Sequence, residues 1–310
     1  MDVVTFGEVM GLLVAEPGTP LRQARNFRRD IAGAEATVAI GLARLGHRPG
    51  WFGLLGDDPF GHGALDTLRA NGVDVSRARV STSDPTGMLV RDAHAVRPIS
   101  VQYHRAGSAA SRMTPGDLDV EYLVSARILH LSGITPALSQ SCVDTVREAL
   151  CIAREHDVTV SFDPNLRRRL WSDERAAAVL GELVPGAEIV LAGAEEALVI
   201  TGQTGRADAA KWLLDRGTRV VVIKSGAAGA WATDGVQEWT QSALPASVVD
   251  PVGAGDAFDA GFLSGTLDGL PIPDRLARGA AVGALAVQSL GDLDGLPYRT
   301  ELDLTLDVDR

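Results

Sequence analysis

The most informative stretch of this chain is Asp250-Pro251-Val252-Gly253-Ala254-Gly255-Asp256-Ala257-Phe258-Asp259-Ala260-Gly261-Phe262. It follows an extended apolar run over 246–249 and leads into a predicted helix over 257–267. Glycines at 253 and 255 let the backbone turn tightly and approach a ligand closely. The free amide groups at the start of the helix then suit a phosphate oxygen.

Asp256 places a carboxylate beside these amide donors, where the predicted helix begins. A base next to an anion hole is what phosphoryl transfer to an alcohol requires. The alternative is an ordinary strand-to-helix turn in which Asp256 is only the N-cap. Motifs elsewhere in the chain are needed to distinguish these two interpretations.

Composition limits the protein to a few classes. Its 310 residues suffice for one large α/β domain, or for a domain with a smaller appendage. A hydrophobic content of 45% and a mean hydropathy of +0.08 are typical of globular proteins. The net charge of −11 argues against a nucleic-acid partner, and an anionic substrate would need local positive charge.

The amino terminus lacks the basic start and long apolar run of a signal peptide, and no window is apolar enough to span a bilayer. We therefore expect a cytoplasmic protein with no membrane partner. Cys142 and Cys151 fall nine positions apart on one predicted helix, roughly 13 Å apart, so they cannot form a disulfide. The six histidines include no His-x-x-x-His pair, which makes a zinc site improbable.

Short β-rich runs alternate with amphipathic segments along the chain, and this alternation predicts a mainly parallel sheet covered by helices on both faces. Strands are predicted over 3–6, 48–54, 128–132, 158–162, 188–192 and 219–224, and helices over 34–45, 61–71, 139–156, 174–183, 207–216, 257–267 and 274–289.

Two segments, at about 11–32 and 85–111, interrupt this alternation of strands and helices. Their apolar–polar alternation predicts antiparallel strands outside the main sheet, which would form a small β-lid on a single domain over 1–310. Such lids exclude water during transfer reactions, and their exposed edges favour a homo-oligomer. The alternative is that both segments are long loops.

Several familiar signatures are absent: there is no Gly-Lys-Ser/Thr, no Gly-x-Gly-x-x-Gly after a strand and no Gly-x-Ser-x-Gly. Near the amino end, Ala32-Gly33-Ala34-Glu35 precedes a helix, so exposed amides there could hold substrate hydroxyls. A plain βα turn is the alternative for that tetrad.

Positively charged groups recur at two places. Tyr103 and Arg105 lie two apart on a predicted strand, so both side chains face the same way. Asp163-Pro164-Asn165-Leu166-Arg167 follows a strand, and ligands of open α/β sheets bind beyond strand carboxyl ends. Arg167 lies nearest the strand end, whereas Arg168 and Arg169 fit a solvated turn.

Two further groups follow strands. The glycines of Lys224-Ser225-Gly226-Ala227-Ala228-Gly229-Ala230 could let an adenine ring or phosphates approach, although the same loop also fits a β-hairpin with a return strand over 230–233. Glu195 and Glu196 could hold a hydrated magnesium ion. Acids at a helix start are also favoured by the helix dipole alone.

These motifs and their order along the chain resemble those of the ribokinase-like (PfkB) sugar kinases, and the resemblance covers essentially all of the chain. The 250–256 stretch matches their carboxy-terminal signature, and Gly33, the 56–61 turn and the 224–229 loop fall at the intervals typical of the family. The resemblance implies a three-layer α/β/α core, with ATP and Mg²⁺ as cofactors. Whether a monovalent cation is also needed stays open.

The resemblance also assigns roles to residues. Asp256 would deprotonate the acceptor hydroxyl, and the amides of Gly253, Ala254, Gly255 and Asp256 would form the anion hole. The residues expected along the ATP are Lys224, Gly226 and Gly229. Glu196 matches the acid of a magnesium motif, Asn-x-x-Glu, whose Asn position is here Gly193.

Within the family the chain is most similar to the 2-keto-3-deoxygluconate kinases, through the runs 130–139, 103–109 and 163–172. This similarity implies phosphoryl transfer to the 6-hydroxyl of a sugar acid. Arg105 and Arg167 would clamp its carboxylate, which a neutral sugar would not need. The substrate-binding residues implied are Gly33, Tyr103, Arg105, Ile134, Arg167 and Asp256.

Some positions depart from the subfamily pattern, among them Ala32, Thr37 and Leu89. Thr37 shortens a polar contact to a hydroxyl and Leu89 removes one, so the exact sugar is left open, and a kinase for a neutral ketose or pentose is the alternative. A catalytically silent sugar-binding regulator is disfavoured because Asp256 and its glycines are intact. A dehydrogenase is disfavoured because its fingerprint is missing.

Overall fold

Fourteen strands and eleven helices make up the described part of this computed structural model, residues 1–94 and 99–307. Residues 95–98, which belong to the second predicted lid segment, and residues 308–310 lie outside it. The strands are β1 Val3–Phe6, β2 Met10–Ala15, β3 Phe27–Ala32, β4 Pro49–Phe52, β5 Leu54–Gly56, β6 Arg79–Ser81, β7 Met88–Arg91, β8 Val101–His104, β9 Ile128–Ser132, β10 Thr159–Asp163, β11 Ile189–Gly193, β12 Val220–Lys224, β13 Ala230–Thr233 and β14 Glu238–Gln241.

The helices alternate with the strands of the main sheet over most of the chain. They are α1 Ala34–Arg44, α2 Pro59–Ala70, α3 Val120–Val124, α4 Ile134–Leu138, α5 Gln140–Glu155, α6 Asp173–Leu183, α7 Ala194–Thr201, α8 Arg206–Leu214, α9 Ala254–Leu267, α10 Ile272–Ala286 and α11 Arg299–Asp307.

The main sheet has eight strands in the order β14-β13-β12-β11-β10-β9-β1-β4. Neighbours are parallel from β4 to β12, and β13 and β14 are added antiparallel. Because parallel strands need a crossover between them, a helix follows most of these strands along the chain. The predicted, mainly parallel sheet is confirmed.

Successive side chains of each strand point to opposite faces of the sheet, and a layer of helices packs on each face. In β11, Ile189 and Leu191 pack with α1, α9 and α10, whereas Val190 and Ala192 pack with α5 to α8. Strand side chains point to opposite faces in turn, so a strand that is apolar at every position is buried on both sides. The result is the predicted three-layer α/β/α arrangement.

A second, four-stranded sheet has the order β3-β2-β7-β8 and comes from the two segments that interrupt the rhythm of the sequence. Its outer pairs are antiparallel, but β2 and β7 at its centre are parallel. The expectation of purely antiparallel strands was therefore wrong. No hairpin joins β2 to β7, since α1 and α2 lie between them in the chain, so nothing requires opposite directions.

Local chemistry shifts two predicted boundaries. The strand predicted over 48–54 is divided at Gly53, where a Cβ would lie 2.6 Å from the carbonyl oxygen of Gly7. Helix α2 begins at Pro59 because the Asp58 side chain caps it, accepting hydrogen bonds from the amides of Phe60 and Gly61.

The segment before α9 also differs from expectation. The apolar run over 246–249 belongs to no strand, and Val248 and Val249 are exposed. Helix α9 begins at Ala254, three residues earlier than predicted, so Asp256 lies within its first turn and Gly253 is the N-cap. Across the described ranges, no helix is both long and apolar enough to cross a membrane.

Candidate active site

Four neighbouring strands, β9 to β12, end at one edge of the main sheet with Ser132, Asp163, Gly193 and Lys224. Ser132 pairs with Asp163, and Gly193 with Lys224, so these residues form a row along that edge. The carboxyl ends of parallel strands are where open α/β sheets bind ligands. The candidate site is built on this row.

Residues 250–256, which we call the glycine turn, supply backbone donors at the start of α9. Gly253 has φ of +79°, a left-handed conformation that favours glycine, and no side chain caps the helix there. The amides of the first turn are therefore not taken up by a capping side chain. Together with the helix dipole they make a place for an anion.

Asp256 is held beside those amides by the turn that follows β10. Its Oδ1 accepts a hydrogen bond of 3.0 Å from Nδ2 of Asn165, and the residue is 8% exposed. Burial, aided by the nearby Asp163, raises the pKa of Asp256 to about 6, against the opposing charges of Arg167 and Lys224. A carboxylate poised in this range suits a general base near neutral pH.

Lys224 lies between two buried carboxyl groups, which we call with it the Lys224 cluster. Its Nζ is 3.0 Å from Oδ2 of Asp163 and 2.9 Å from Oδ1 of Asp259. Although burial opposes it, Lys224 lowers the pKa of Asp163, while burial raises that of Asp259 well above its usual value. The sequence did not indicate this cluster, because its members lie on three separate elements.

A second buried ion pair fixes the beginning of the turn. Asp250 pairs with Arg91 at the end of β7, and its two oxygens also accept hydrogen bonds from the amides of Val252 and Gly291. Side chains of this pair are only 1% and 2% exposed. Asp292 lies close by, and burial raises its pKa to about 7 in spite of Arg91. We call Arg91, Asp250 and Asp292 the Arg91 cluster.

Glu35 is a buried carboxyl group without a cation partner in the described structure. Its Oε1 accepts a 2.7 Å hydrogen bond from Thr135 Oγ1, and its Oε2 has no hydrogen-bond partner there. Gly7 makes room for it, since a Cβ at Gly7 would lie 2.2 Å from that Oε1. Burial raises the pKa of Glu35 to about 8, so the group is mostly protonated at neutral pH.

Two of the predicted substrate residues are fixed by close backbone approach. At Gly33, the N-cap of α1, a Cβ would lie 2.6 Å from the carbonyl oxygen of Glu8. Ile134 begins α4, and the preceding Gly133 lies against the carbonyl oxygen of Pro164. This contact places the start of α4 beside the turn that carries Asn165.

Arg105 is already paired with a carboxylate of the protein. Its guanidinium contacts Glu8, whose side chain is fully buried and also accepts a 2.6 Å hydrogen bond from Ser108 Oγ. Burial raises the pKa of Glu8, and Arg105 opposes that rise. The guanidinium also lies 5.6 Å from the ring centre of Tyr103. The clamp predicted from the sequence did not include Glu8.

The three arginines after β10 differ in their surroundings. Arg167 is exposed and lies close enough to Asp256 to lower its pKa. Arg168 pairs with Asp173 at 2.9 Å on the surface, as a solvated turn predicts. Arg169 instead donates to the carbonyl oxygen of Val101, and its guanidinium lies 5.8 Å from the Tyr103 ring centre. It therefore joins the core to β8, which the sequence did not suggest.

Comparison with known proteins shows the family of the chain. The family model described as "pfkB family carbohydrate kinase" matches residues 1–299. The chain belongs to this family. It is a carbohydrate kinase.

Three known proteins show how far this carbohydrate kinase resembles its relatives. A 2-dehydro-3-deoxygluconokinase from Bacillus subtilis is 39% identical over 100% of this chain and 97% of its own length. A crystal structure of 2-dehydro-3-deoxygluconokinase from Thermotoga maritima is 30% identical, with a TM-score of 0.89 over 98% of this chain and 97% of that one. The fructokinase of Vibrio cholerae, solved with fructose, ADP and calcium, is 27% identical, with a TM-score of 0.86 over 98% of each chain.

The loop after β12 of the kinase is a tight hairpin, one of the two structures its sequence allowed. Gly226 and Gly229 have φ of +54° and +90°, and the amide of Ser225 donates to the carbonyl oxygen of Gly229. A Cβ at Gly229 would lie 2.0 Å from the carbonyl oxygen of Gln241 in β14. Gly229 is thus required by the hairpin itself. The predicted contact of both glycines with ATP stays a prediction.

Glu196 does not form a metal site on its own. Its two oxygens accept hydrogen bonds from the amides of Leu166, at 2.9 Å, and Gly193, at 2.7 Å. In the described ranges no group of three or more His, Cys, Asp or Glu residues could hold a metal ion. A Mg²⁺ ion here would fit only as one held mainly by phosphate oxygens and water.

The sequence indicates the candidate site residues better than it indicates the side chains that contact them. Asn165 follows β10 at a predicted ligand-binding position, but its hydrogen bond to Asp256 does not follow from that position. The available signal is the residue type, because asparagine tolerates the φ of +40° found here better than most residues do. Glu35 belongs to the tetrad that precedes α1, for which the sequence predicts a role of the backbone amides but not of this side chain.

Proposed function

We propose that this carbohydrate kinase transfers the γ-phosphoryl group of ATP to the 6-hydroxyl of 2-keto-3-deoxygluconate, also called 2-dehydro-3-deoxygluconate. The observation that carries the proposal is the exposed guanidinium of Arg167 beside the buried carboxylate of Asp256. A sugar acid has an anionic end for the first and a primary hydroxyl for the second. Relatives named for this substrate support the choice.

Arg105 and Tyr103 would complete the grip on the acid. A guanidinium carries five N–H donors, so pairing with Glu8 leaves donors for a substrate carboxylate. Tyr103 is flanked by Arg105 and Arg169, and its hydroxyl would add a further hydrogen-bonding group. Gly33 and Ile134 would bring backbone groups to the sugar hydroxyls.

Asp256 would act on the acceptor hydroxyl. As the 6-oxygen forms its bond to the γ-phosphorus, the bond from that phosphorus to the β,γ-bridging oxygen breaks, and ADP leaves. The proton of the 6-hydroxyl passes to Asp256, whose pKa of about 6 leaves it ionised at neutral pH. The amides of Gly253, Ala254, Gly255 and Asp256 would stabilise the charge on the transferred group.

The nucleotide would bind between the hairpin after β12 and the glycine turn. Gly226 and Gly229 would lie along the nucleotide, and the ammonium of Lys224 lies beneath the turn, 3.7 Å from the position of a Cβ on Gly255. When bound, Mg²⁺ would neutralise phosphate charge, with Glu196 as the nearest predicted ligand. A monovalent cation stays an open prediction.

Two observations favour the alternative, a kinase for a neutral ketose or pentose. Glu8 already neutralises Arg105, so the charge available to an acid is smaller than the sequence predicts. Leu89, opposite Tyr103 in the second sheet, offers no polar group to the substrate. A neutral sugar needs neither a free guanidinium charge at Arg105 nor a polar group at Leu89.

A coupled assay of ADP release decides between the two. We expect the kinase to prefer 2-keto-3-deoxygluconate over fructose, ribose and nucleosides. Arg167→Ala should lower kcat/KM for the sugar acid by about 10- to 100-fold, since a charge-assisted hydrogen bond contributes about 1.5–3 kcal/mol. The matched control is Arg168→Ala, which removes a surface arginine from the same turn.

Two outcomes would contradict the proposal. One is a higher kcat/KM for a neutral sugar than for any sugar acid. The other is an equal loss on acids and ketoses in Arg167→Ala at pH 8 to 9, where Asp256 is ionised with or without Arg167, because a carboxylate clamp affects only substrates that carry the carboxylate.

We also propose that the edges of the second sheet pair in a homo-oligomer and that the protein is cytoplasmic. Edge strand β3 exposes Phe27, at 39%, and such edges are usually covered. Light scattering of the protein and of Phe27→Glu would test the first point. A monomeric wild-type protein would contradict it.

A further inference from the structure

The chain has only two lysines, and the structure uses them in opposite ways. Lys211 is 71% exposed and pairs with Asp215 on the surface. The Lys224 side chain is 14% exposed and is enclosed by the carboxyl groups of Asp163 and Asp259. In a chain with 29 basic residues, 27 of them arginine, a lysine at this place is unusual. A compact ammonium fits between two carboxyl groups where a planar guanidinium would not.

The donors of Lys224 are largely used within the protein. Its Nζ lies 3.0 Å from Asp163 and 2.9 and 3.0 Å from the two oxygens of Asp259. An ammonium has three N–H donors, so three contacts of this length account for all of them. Binding of a phosphate by Lys224 would require it to give up one of these buried partners.

The cluster is linked to the catalytic base through the geometry of α9. Asp256 and Asp259 lie three residues apart on that helix, so their side chains are neighbours on one face. On the other side, Asp163 precedes the turn whose Asn165 donates to Asp256. Lys224 thus ties β10 and α9 together beneath the carboxylate that both position.

We propose that Lys224 is a positioning residue, which fixes the first turns of α9 against the end of β10 and so places Asp256, and that it does so without binding the phosphates of ATP. This inference rests on the proposed kinase mechanism for its activity measurements, but its structural part stands apart from the identity of the sugar.

The charges around the cluster set the expected pH effect. The titratable groups around the cluster and Asp256 are Asp163 from β10, Asp256 and Asp259 from α9, Glu196 from α7, Glu35 from α1, the buried His130 from β9, Asp292 from the loop after α10 and Arg167 from the turn after β10. Lys224 and Arg167 are the cations of this group, and both favour the ionised form of Asp256. Without Lys224, ionisation of Asp256 should require a higher pH.

The test compares Lys224→Met, Asp259→Asn and the double variant Lys224→Met/Asp259→Asn. Lys211→Met is the matched control, since it makes the same change in the other Lys–Asp pair. For Lys224→Met we expect kcat to fall about 100-fold while KM for ATP stays within about threefold, because the base is misplaced and the phosphates are not. The acidic limb of kcat/KM should move to higher pH. In the double variant the amide at position 259 can donate a hydrogen bond to the Asp163 carboxylate, which has lost its ammonium partner, so kcat and the unfolding temperature should both partly recover.

The contrary results are equally definite. A direct ATP contact would raise KM for ATP and weaken binding of a fluorescent ADP analogue at least tenfold in Lys224→Met, with no recovery in the double variant. If Lys224→Met does not fold, the double variant still decides: folding of the double variant supports the cluster, and failure of both overturns it. If the wild-type protein phosphorylates no sugar, the proposed function fails, while ADP binding and unfolding still test the inference.

Discussion

The two sides of the active site bury carboxyl groups differently. Where the second sheet meets the glycine turn, Asp250 is paired with Arg91, a cation as deeply buried as itself. Between α1 and α4, Glu35 has only the hydroxyl of Thr135. The first group is held in a buried ion pair that ties two elements together, whereas burial raises the pKa of Glu35 to about 8. A paired acid should therefore be sensitive to loss of its cation, and an unpaired one to pH.

Asp256 lies between these extremes, and the largest expected effect tests it. Its neighbours include the cations Lys224 and Arg167, yet burial still raises its pKa to about 6. Asp256→Asn should retain nucleotide binding while kcat falls by on the order of 10²–10⁴, because the amide cannot accept the proton. The wild-type kcat/KM should fall as pH drops below about 6, where Asp256 becomes protonated.

Asp66→Asn on the surface is the control for that substitution, since Asp66 is 78% exposed. Unchanged turnover in Asp256→Asn would remove the residue from the role of base. A rate that does not depend on pH between 5 and 8 would show that the ionisation of Asp256 does not limit the reaction.

The second prediction removes the cation from the paired acid. Arg91→Met leaves Asp250 and Asp292 buried together, and breaking such a pair typically costs about 3–5 kcal/mol. Urea denaturation at pH 7 should show this loss in the free energy of unfolding. Arg91→Met/Asp250→Asn should recover part of it, because the uncompensated charge is then removed.

Arg48→Met provides the comparison on the surface, where the arginine is 79% exposed beside Asp2, and should change stability by less than about 0.5 kcal/mol. A similarly small effect of Arg91→Met would contradict the view that the pair holds the second sheet to the turn.

Features that depend on residues close together in the sequence could be predicted, whereas contacts between residues far apart in the sequence could not. The strand–helix alternation, the glycine turn and Asp256 depend on neighbouring residues, and the sequence indicated them. Arg91 and Asp250 are 159 positions apart, and Lys224 and Asp163 are 61 apart. Such pairs depend on the order of strands in the sheet, which periodicity does not specify, so the arginines and acids could be identified from the sequence but their partners could not.

The start of α9 shows the same limit at short range. The sequence placed it at residue 257, because Gly253 and Gly255 disfavour helix interiors. The structure begins it at Ala254, where the left-handed Gly253 serves as N-cap. The propensity of a glycine therefore indicated a turn correctly, but not where the turn ended.

The smallest expected effect concerns the unpaired acid. In the unfolded chain Glu35 ionises near its ordinary value of 4.5, but in the folded protein only near 8. Since the unfolded state loses its proton first, the free energy of unfolding should decrease as pH rises from about 4.5 to 8 and then level off. Glu35→Gln removes this ionisation and can still accept the hydrogen bond of Thr135. Measured by urea denaturation, its stability relative to wild type should improve between pH 5 and pH 9 by on the order of 3 kcal/mol. A difference that is the same at both pH values would mean that Glu35 is ionised in the folded protein, and the contrast with Asp250 would then disappear.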